Sequence, residues 1–237
     1  MHIPADTSIV ILTGAGISAE SGISTFRDAD GLWMNHAIEE VAHPTAFRRD
    51  PALVHEFYNQ RRRQLFEVSP NAAHLALARL EQAWPGDFLL VTQNVDDLHD
   101  RAGSLKLIHM HGELRRVRCL KCLQSHPWME DCLPETPCPA CGKPSLRPHI
   151  VWFDEMPMKM GEITRALSRC GLFICIGTSG NVYPAAGFVQ QASRQAHTLE
   201  INAEETRIRS QFKETRKGLA SCEVPRLVDE LLGGMTR

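Results

Sequence analysis

No stretch of the 237-residue sequence approaches the ~18 uninterrupted apolar residues that a membrane-spanning helix requires, so a role within a bilayer is not expected. The N-terminus also lacks the charged start, apolar middle and small-residue cleavage site of a signal peptide. A strand-like run, Ser8 to Leu12, begins almost at once, and a cytoplasmic protein is expected. Charge of one sign is missing as well. The formal net charge of −2 predicts no direct nucleic-acid binding and no pull toward anionic membrane. The short basic runs Arg61 to Arg63 and Arg115 to Lys121 read as solvated faces. Internal repeats and low-complexity tracts are absent too. With 43% hydrophobic and 23% charged residues, the composition is that of an ordinary globular protein, long enough for one large domain or a core with an insertion.

Continuous apolar runs mark the core. Ser8-Ile-Val-Ile-Leu-Thr13 ends in Gly14-Ala-Gly16, and Phe88 to Thr92, Leu172 to Gly177 and Thr198 to Asn202 look similar. Runs without polar alternation predict strands covered on both faces, hence a parallel sheet flanked by helices. Between the first two runs, Asp50-Pro51 is a helix start, and the pattern continues to about Phe66. Ser69-Pro70 repeats the signal for a helix through Leu75, Leu77 and Leu80. The expected architecture is α/β: a Rossmann-like parallel sheet core over residues 1–34, 84–113 and 150–237. A smaller inserted helical and zinc-binding domain would take 35–83 and 114–149.

From Cys119 to Pro148 the chain turns to cysteine, proline and charge, a composition that needs a staple in place of an apolar core. Eight cysteines would mean disulfides in a small secreted protein, whereas paired Cys-x-x-Cys spacing in an intracellular chain reads as metal binding. Cys119-x-x-Cys122 and Cys138-x-x-Cys141 have zinc-ribbon spacing, and four thiolates leave no open position for water, so one structural zinc is expected. Cys132 is a possible competing ligand without a partner at the right spacing. Cys170, Cys175 and Cys222 read as small apolar residues.

Gly14-Ala15-Gly16-Ile-Ser-Ala19 follows a strand and fits G-x-G-x-x-A, in which backbone amides and a helix N-terminus approach a pyrophosphate. A dehydrogenase would next show a second strand ending in Asp or Glu. Here the region reads Arg27-Asp-Ala-Asp-Gly-Leu-Trp-Met-Asn-His36, so hydride transfer loses ground. Asn202 or Glu204, just past the last strand, is the alternative ribose ligand.

Several segments in order now carry a resemblance to a known family. Gly14-Ala-Gly-Ile-Ser-Ala-Glu-Ser-Gly-Ile23 with Thr25-Phe26-Arg27 resembles the signature loop of the sirtuins. Thr92-Gln93-Asn94-Val-Asp96 with Leu98-His99 is similar to their second motif, and His109-Met-His111-Gly112 to their third. The cysteine quartet, Gly177-Thr178-Ser179 and Asn202-Ala203-Glu204 match later segments, and Ala220 is assigned to the cofactor site with them. The resemblance implies an NAD-dependent protein-lysine deacylase. NAD is the co-substrate, its nicotinamide–ribose bond is cleaved, and nicotinamide and O-acyl-ADP-ribose are released. It implies His111 as the base that deprotonates a ribose hydroxyl, although on a strand His109 would share its face. Asn94 and Asp96 orient the ribose and the nicotinamide amide, with Gln93 beside them, and Phe26 shields the reactive sugar from water. Asp96 also reads as a helix cap before Leu98.

The helix from Asp50 places Val54, Phe57, Tyr58, Arg61 and Leu65 on one face. Tyr58 and Arg61, three apart, project together and suit a carboxylate; an internal salt bridge from Arg61 to a helix acid is the alternative. The Tyr-x-x-Arg pair is similar to that of sirtuins that remove succinyl and malonyl groups, which implies desuccinylation with weaker deacetylation. Val151, Phe153 and Glu155 fall in the segment that binds acylated substrate proteins as an added strand. Family members usually carry glycine where Asp154 stands, so peptide preference is open here. ADP-ribosyl transfer to protein, using the same pocket, is a second possible activity, and a zinc-ribbon binding module is a rival from another class.

Overall fold

The computed structural model describes residues 3–24, 37–206 and 208–234. The elements run β1 (Ile9–Thr13), α1 (Gly16–Ala19), α2 (Ile38–Val41), α3 (Pro44–Arg49), α4 (Pro51–Gln64), α5 (Ala72–Ala83), β2 (Phe88–Thr92), α6 (Leu98–Ala102) and β3 (Leu107–His109). Then follow β4 (Gly112–Cys119), β5 (Ser125–Pro127), β6 (Leu146–Ile150), α7 (Met160–Leu167), β7 (Leu172–Ile176), α8 (Phe188–Gln191), β8 (His197–Asn202), β9 (Glu214–Lys217) and α9 (Ala220–Gly233). Among the described residues no helix is long and apolar enough to cross a membrane.

The apolar runs do form the core strands. β1 and β7 are buried at every position, which is why they show no polar alternation. Six strands lie in the order β3-β2-β1-β7-β8-β9, and every neighbouring pair is parallel. Counted along this sheet, the order is that of the doubly wound dinucleotide fold, so the topological switch falls between β1 and β7. The sheet is Rossmann-like. Ile9, Ile11, Leu90 and Ile174 face α5 and α9 residues such as Leu77, Leu80 and Leu227. Val10, Leu12, Val91 and Phe173 pack on the other face with Ile163 and Phe188. Each such aliphatic side chain stabilises the fold by about 1.5–3 kcal/mol when fully buried.

Two local expectations need correction. Asp50 caps α4 as its sequence suggests, its carboxylate accepting from Leu53 N at 2.9 Å. The next helix, however, is capped by Asn71 and not by Ser69. Asn71 accepts from Ala73 N at 2.9 Å and His74 Nδ1 accepts from Asn71 N at 3.3 Å, a reciprocal cap in which His74 takes the place of the usual Glu or Gln. Of the basic run in α4 only Arg63 is exposed. Arg61 and Arg62 are buried. Arg62 donates to Leu114 O (2.8 Å), Asn59 Oδ1 (2.8 Å) and Glu130 O (3.1 Å), and so ties α4 to the cysteine-rich module.

That module is the antiparallel sheet β5-β4-β6 over a small cluster of Val117, Cys119, Cys132, Cys138 and Leu146. The helical segment 38–65 has its own cluster, with Val54, Phe57, Tyr58 and Leu65 meeting Leu114, Ile150 and Trp152.

Candidate active site

Loops leaving the C-terminal ends of β1, β2, β7 and β8 surround a cavity of about 740 Å3, within the usual range for ligand pockets. The described residues assigned from sequence to cofactor and substrate all border it. They are Gly14, Ala15, Gly16, Ala19, Gln93, Asn94, Asp96, His111, Gly177, Thr178, Ser179, Asn202, Ala203, Glu204 and Ala220, together with Tyr58, Arg61, Val151, Phe153 and Glu155. Thr25, Phe26 and Arg27 lie outside the described residues, as does the stretch 27–36 that lacks a second-strand pattern.

The glycine loop is built more by packing than by a helix dipole. A Cβ on Gly14 would stand 2.8 Å from Gly177 O, and one on Gly16 2.8 Å from Gly177 Cα. Gly177 itself has φ 62, and a side chain there would meet Ile17 N at 2.5 Å. The two loops at the switch point therefore interlock through backbone at the cavity wall, Gly16 N donating to Gly177 O at 2.8 Å. The expected helix N-terminus is one turn long, because α1 ends at Ala19; its macrodipole is correspondingly small.

Deeper in, Ser18 gathers the polar groups. It donates to Asp96 Oδ2 at 2.9 Å and accepts from Asn94 Nδ2 at 3.0 Å, with His74 Nε2 at 3.5 Å. Burial is the first cause that pushes the Asp96 carboxyl above the ordinary range, while the Leu98 amide and Ser18 act against it. Its Oδ1 also accepts from Leu98 N at 3.1 Å, although the cap position of α6 itself is taken by Asp97. Gln93 donates to Thr178 Oγ1 at 3.1 Å, and Asn202 donates to Thr178 O at 2.7 Å. Glu204 borders the cavity as an exposed residue. Ser18 and His74 went unassigned in the sequence, because their partners lie more than 50 residues away.

The two histidines of the third motif part company. The strand ends at His109, and a turn redirects His111, so the shared strand face does not arise. His109 Nε2 meets Asp100 Oδ2 at 3.0 Å. His111 borders the cavity with Nδ1 3.1 Å from Gln93 O. A carbonyl can only accept, so Nδ1 carries the proton and Nε2 keeps its lone pair. Burial lowers the His111 pKa, the Gln93 carbonyl acting the other way. Gly112 makes the turn possible. Its φ is 87, and a Cβ would stand 2.0 Å from His149 O, so only glycine lets β4 start against β6 at this point.

Tyr58 and Arg61 lie together at the cavity wall, both buried. Burial is the main cause that brings the Arg61 pKa down to about 10, with Tyr58 and Asp96 acting against it. The acid on the same helix, Glu56, is held by Arg63 at 2.8 Å and Gln60 at 2.9 Å. Glu155 does not offer a free carboxylate to a substrate. Its oxygens accept from Arg147 (2.7 and 3.0 Å), Arg118 (2.9 Å) and Trp152 N (2.8 Å), so it anchors the segment. Asp154 has φ 67, a backbone region that favours glycine but that aspartate tolerates, and its carboxylate meets His43 Nε2 at 2.8 Å.

Away from the cavity, Cys119, Cys122, Cys138 and Cys141 bring their sulfurs within 4.8 Å of one another. Cys119–Cys141 and Cys122–Cys138 are each 3.7 Å apart. A tetrahedral zinc with Zn–S of ~2.3 Å requires sulfurs ~3.8 Å apart, so the quartet fits one such ion. Cys132 is buried outside the group, its amide held by Asn59 Oδ1 at 2.9 Å. Cys170 and Cys175 are buried as expected; Cys222 is exposed, which its assignment as a small apolar residue did not anticipate.

Comparison with known proteins agrees with this geometry. The model of the "Sir2 family" matches residues 14–184. An "NAD-dependent protein deacylase" of Vibrio cholerae is 56% identical over 233 residues, covering 97% of this chain and 95% of its own. One of Bdellovibrio bacteriovorus is 59% identical over 228 residues, covering 95% and 97%. Among solved structures, a Sir2 homologue–NAD complex superimposes with a TM-score of 0.88 at 40% identity, covering 98% of this chain and 92% of that one.

Proposed function

This chain belongs to the Sir2 family, and from that premise we propose that it removes acyl groups from protein lysines at the expense of NAD, with a pocket suited to succinyl and malonyl groups and weaker action on acetyl. Bound NAD supplies a nicotinamide–ribose bond whose cleavage leaves a cationic sugar for the acyl oxygen to capture. The residues of the chain do the rest. The interlocked glycine loops bring main chain up to where the pyrophosphate would lie, and Asn94, oriented through Ser18, would meet the ribose. The neutral Nε2 of His111 accepts the proton of a ribose hydroxyl, because Nδ1 is fixed as the donor to Gln93 O. The acyl-lysine enters between the core (1–34, 84–113, 150–237) and the small domain (35–83, 114–149), beside Val151 and Phe153. The products are nicotinamide and O-acyl-ADP-ribose. The cysteine quartet would hold a closed structural zinc that takes no part in these steps.

The acyl preference rests on one observation: a guanidinium and a phenol are buried side by side at the cavity wall. A charge-assisted bond from Arg61 to a terminal carboxylate contributes about 1.5–3 kcal/mol, or roughly 10- to 150-fold. Arg61→Met should lower kcat/KM for a succinyl-lysine peptide by that factor and leave an acetyl-lysine peptide within about threefold. Equal losses on both peptides would refute the acyl assignment.

A further inference from the structure

Tyr58 has a neighbour that the acyl reading does not yet use. Trp152 follows β6 and is 2% exposed, and its indole Nε1–H donates to the Tyr58 hydroxyl oxygen at 2.9 Å. An indole nitrogen can only donate. One lone pair of the phenol oxygen is therefore spent on Trp152, and the phenol's own proton must go to a different acceptor. Tyr58 and Arg61 sit three residues apart on one helical face at the cavity, so the phenol and the guanidinium border the same space. Donation by the indole also polarises the phenol and strengthens the hydrogen bond it gives. Burial holds the phenol above its ordinary pKa, so it stays a protonated donor.

The indole is itself held from several sides. The Arg147 guanidinium lies 3.3 Å from the Trp152 ring centre. Arg147 is in turn fixed by Glu155 through two hydrogen bonds and by Ile150 O at 2.8 Å. Glu155 closes the circuit by accepting from Trp152 N at 2.8 Å, and Phe47 packs on the indole at 5.3 Å. A phenylalanine would keep an aromatic ring in the slot, with fewer contacts than the indole makes. The polar group it would lose is one N–H aimed at one oxygen.

We propose that Trp152 is a positioning residue for acyl selectivity: its indole N–H fixes the Tyr58 hydroxyl so that phenol and guanidinium donate together to the carboxylate of an acidic acyl group. This rests on the acidic-acyl reading of the pocket.

Trp152→Phe, Tyr58→Phe and the double variant test it, with NAD saturating and acetyl- and succinyl-lysine peptides compared. One neutral hydrogen bond contributes about 0.5–1.5 kcal/mol. Trp152→Phe should therefore raise KM for the succinyl peptide roughly 2- to 13-fold, with kcat and both acetyl parameters less than twofold changed. In the Tyr58→Phe background the same change should have no further effect on the succinyl peptide. In protein labelled with 15N-tryptophan, the Trp152 indole resonance should move when the succinyl peptide binds, and move less with the acetyl peptide. That signal is read on the unaltered chain and does not depend on the variants folding. Parallel losses on both peptides, a Trp152→Phe effect that persists without the phenol, or an indole resonance indifferent to the acyl group would each overturn the proposal. A parent enzyme that ignores Arg61→Met would instead remove the acyl reading beneath it.

Discussion

Acidification from pH 7 to pH 5 should cost this protein stability, and His55 allows the size of one contribution to be worked out. The ring is 1% exposed and packs edge-on against Phe47 at 5.3 Å. Its pKa is lowered from 6.5 to about 4, first by burial and then by the Arg62 guanidinium, with Leu146 and Glu135 acting the other way. The unfolded chain takes up the proton near 6.5 and the folded chain only near 4. Stability is then fully present above 6.5 and is lost as pH falls toward 4. At 1.36 kcal/mol per pH unit the loss is about 2 kcal/mol by pH 5 and about 3 kcal/mol by pH 4. His74, lowered to about 4 by burial, adds a similar loss and gives up its cap on Asn71. Asp96, whose pKa burial raises, and His109, raised by Asp100 against the effect of burial, work in the opposite direction. The clean measurement is therefore a difference. His55→Phe keeps a ring in the slot and removes the titration, so urea unfolding at pH 7 and pH 5 should show about 2 kcal/mol less pH dependence than the parent. Equal pH dependence in the two proteins would refute the assignment of a buried neutral imidazole.

Four further outcomes are expected. His111→Ala should keep fold and zinc yet lose most turnover. In the parent the acid limb of kcat/KM should fall below the ordinary histidine value near 6.5, because burial lowers this pKa and the neutral form is the active one; a limb above 7 would contradict that. Gly112→Ala should destabilise the protein by about 1–3 kcal/mol from its positive φ alone, with more from the contact with His149 O, as read by chemical denaturation. Stripping zinc should unfold the β5-β4-β6 module and abolish activity through the segment it holds, since structural zinc sites contribute folding energy of about 10–16 kcal/mol; full activity without metal would contradict the structural role.

The parts of this fold that could be read in the sequence were those written locally. Buried parallel strands have no alternation to hide, so β1, β2, β7 and β8 were recognisable within one residue. A Cys-x-x-Cys pair carries its geometry in its spacing, and all four sulfurs do meet. The parts that could not be read depend on partners far along the chain. Arg62 is buried because Leu114, 52 residues away, offers a carbonyl, and nothing in the run Arg61-Arg62-Arg63 distinguishes it from a solvated arginine. Trp152 reaches Tyr58 across 94 residues. His111 separates from His109 because the strand stops and a glycine with φ 87 turns the chain. The carboxylate of Glu155 is held by Arg147 and Arg118, and the bond from Arg118 comes from 37 residues away.

The most direct test is to incubate the purified protein with NAD and either a succinyl- or an acetyl-lysine peptide and to identify the products by mass spectrometry. Free nicotinamide, bare lysine peptide and O-acyl-ADP-ribose should appear in equal amounts, faster from the succinyl peptide. Intact NAD with either peptide, or reduced cofactor in place of nicotinamide, would contradict the account.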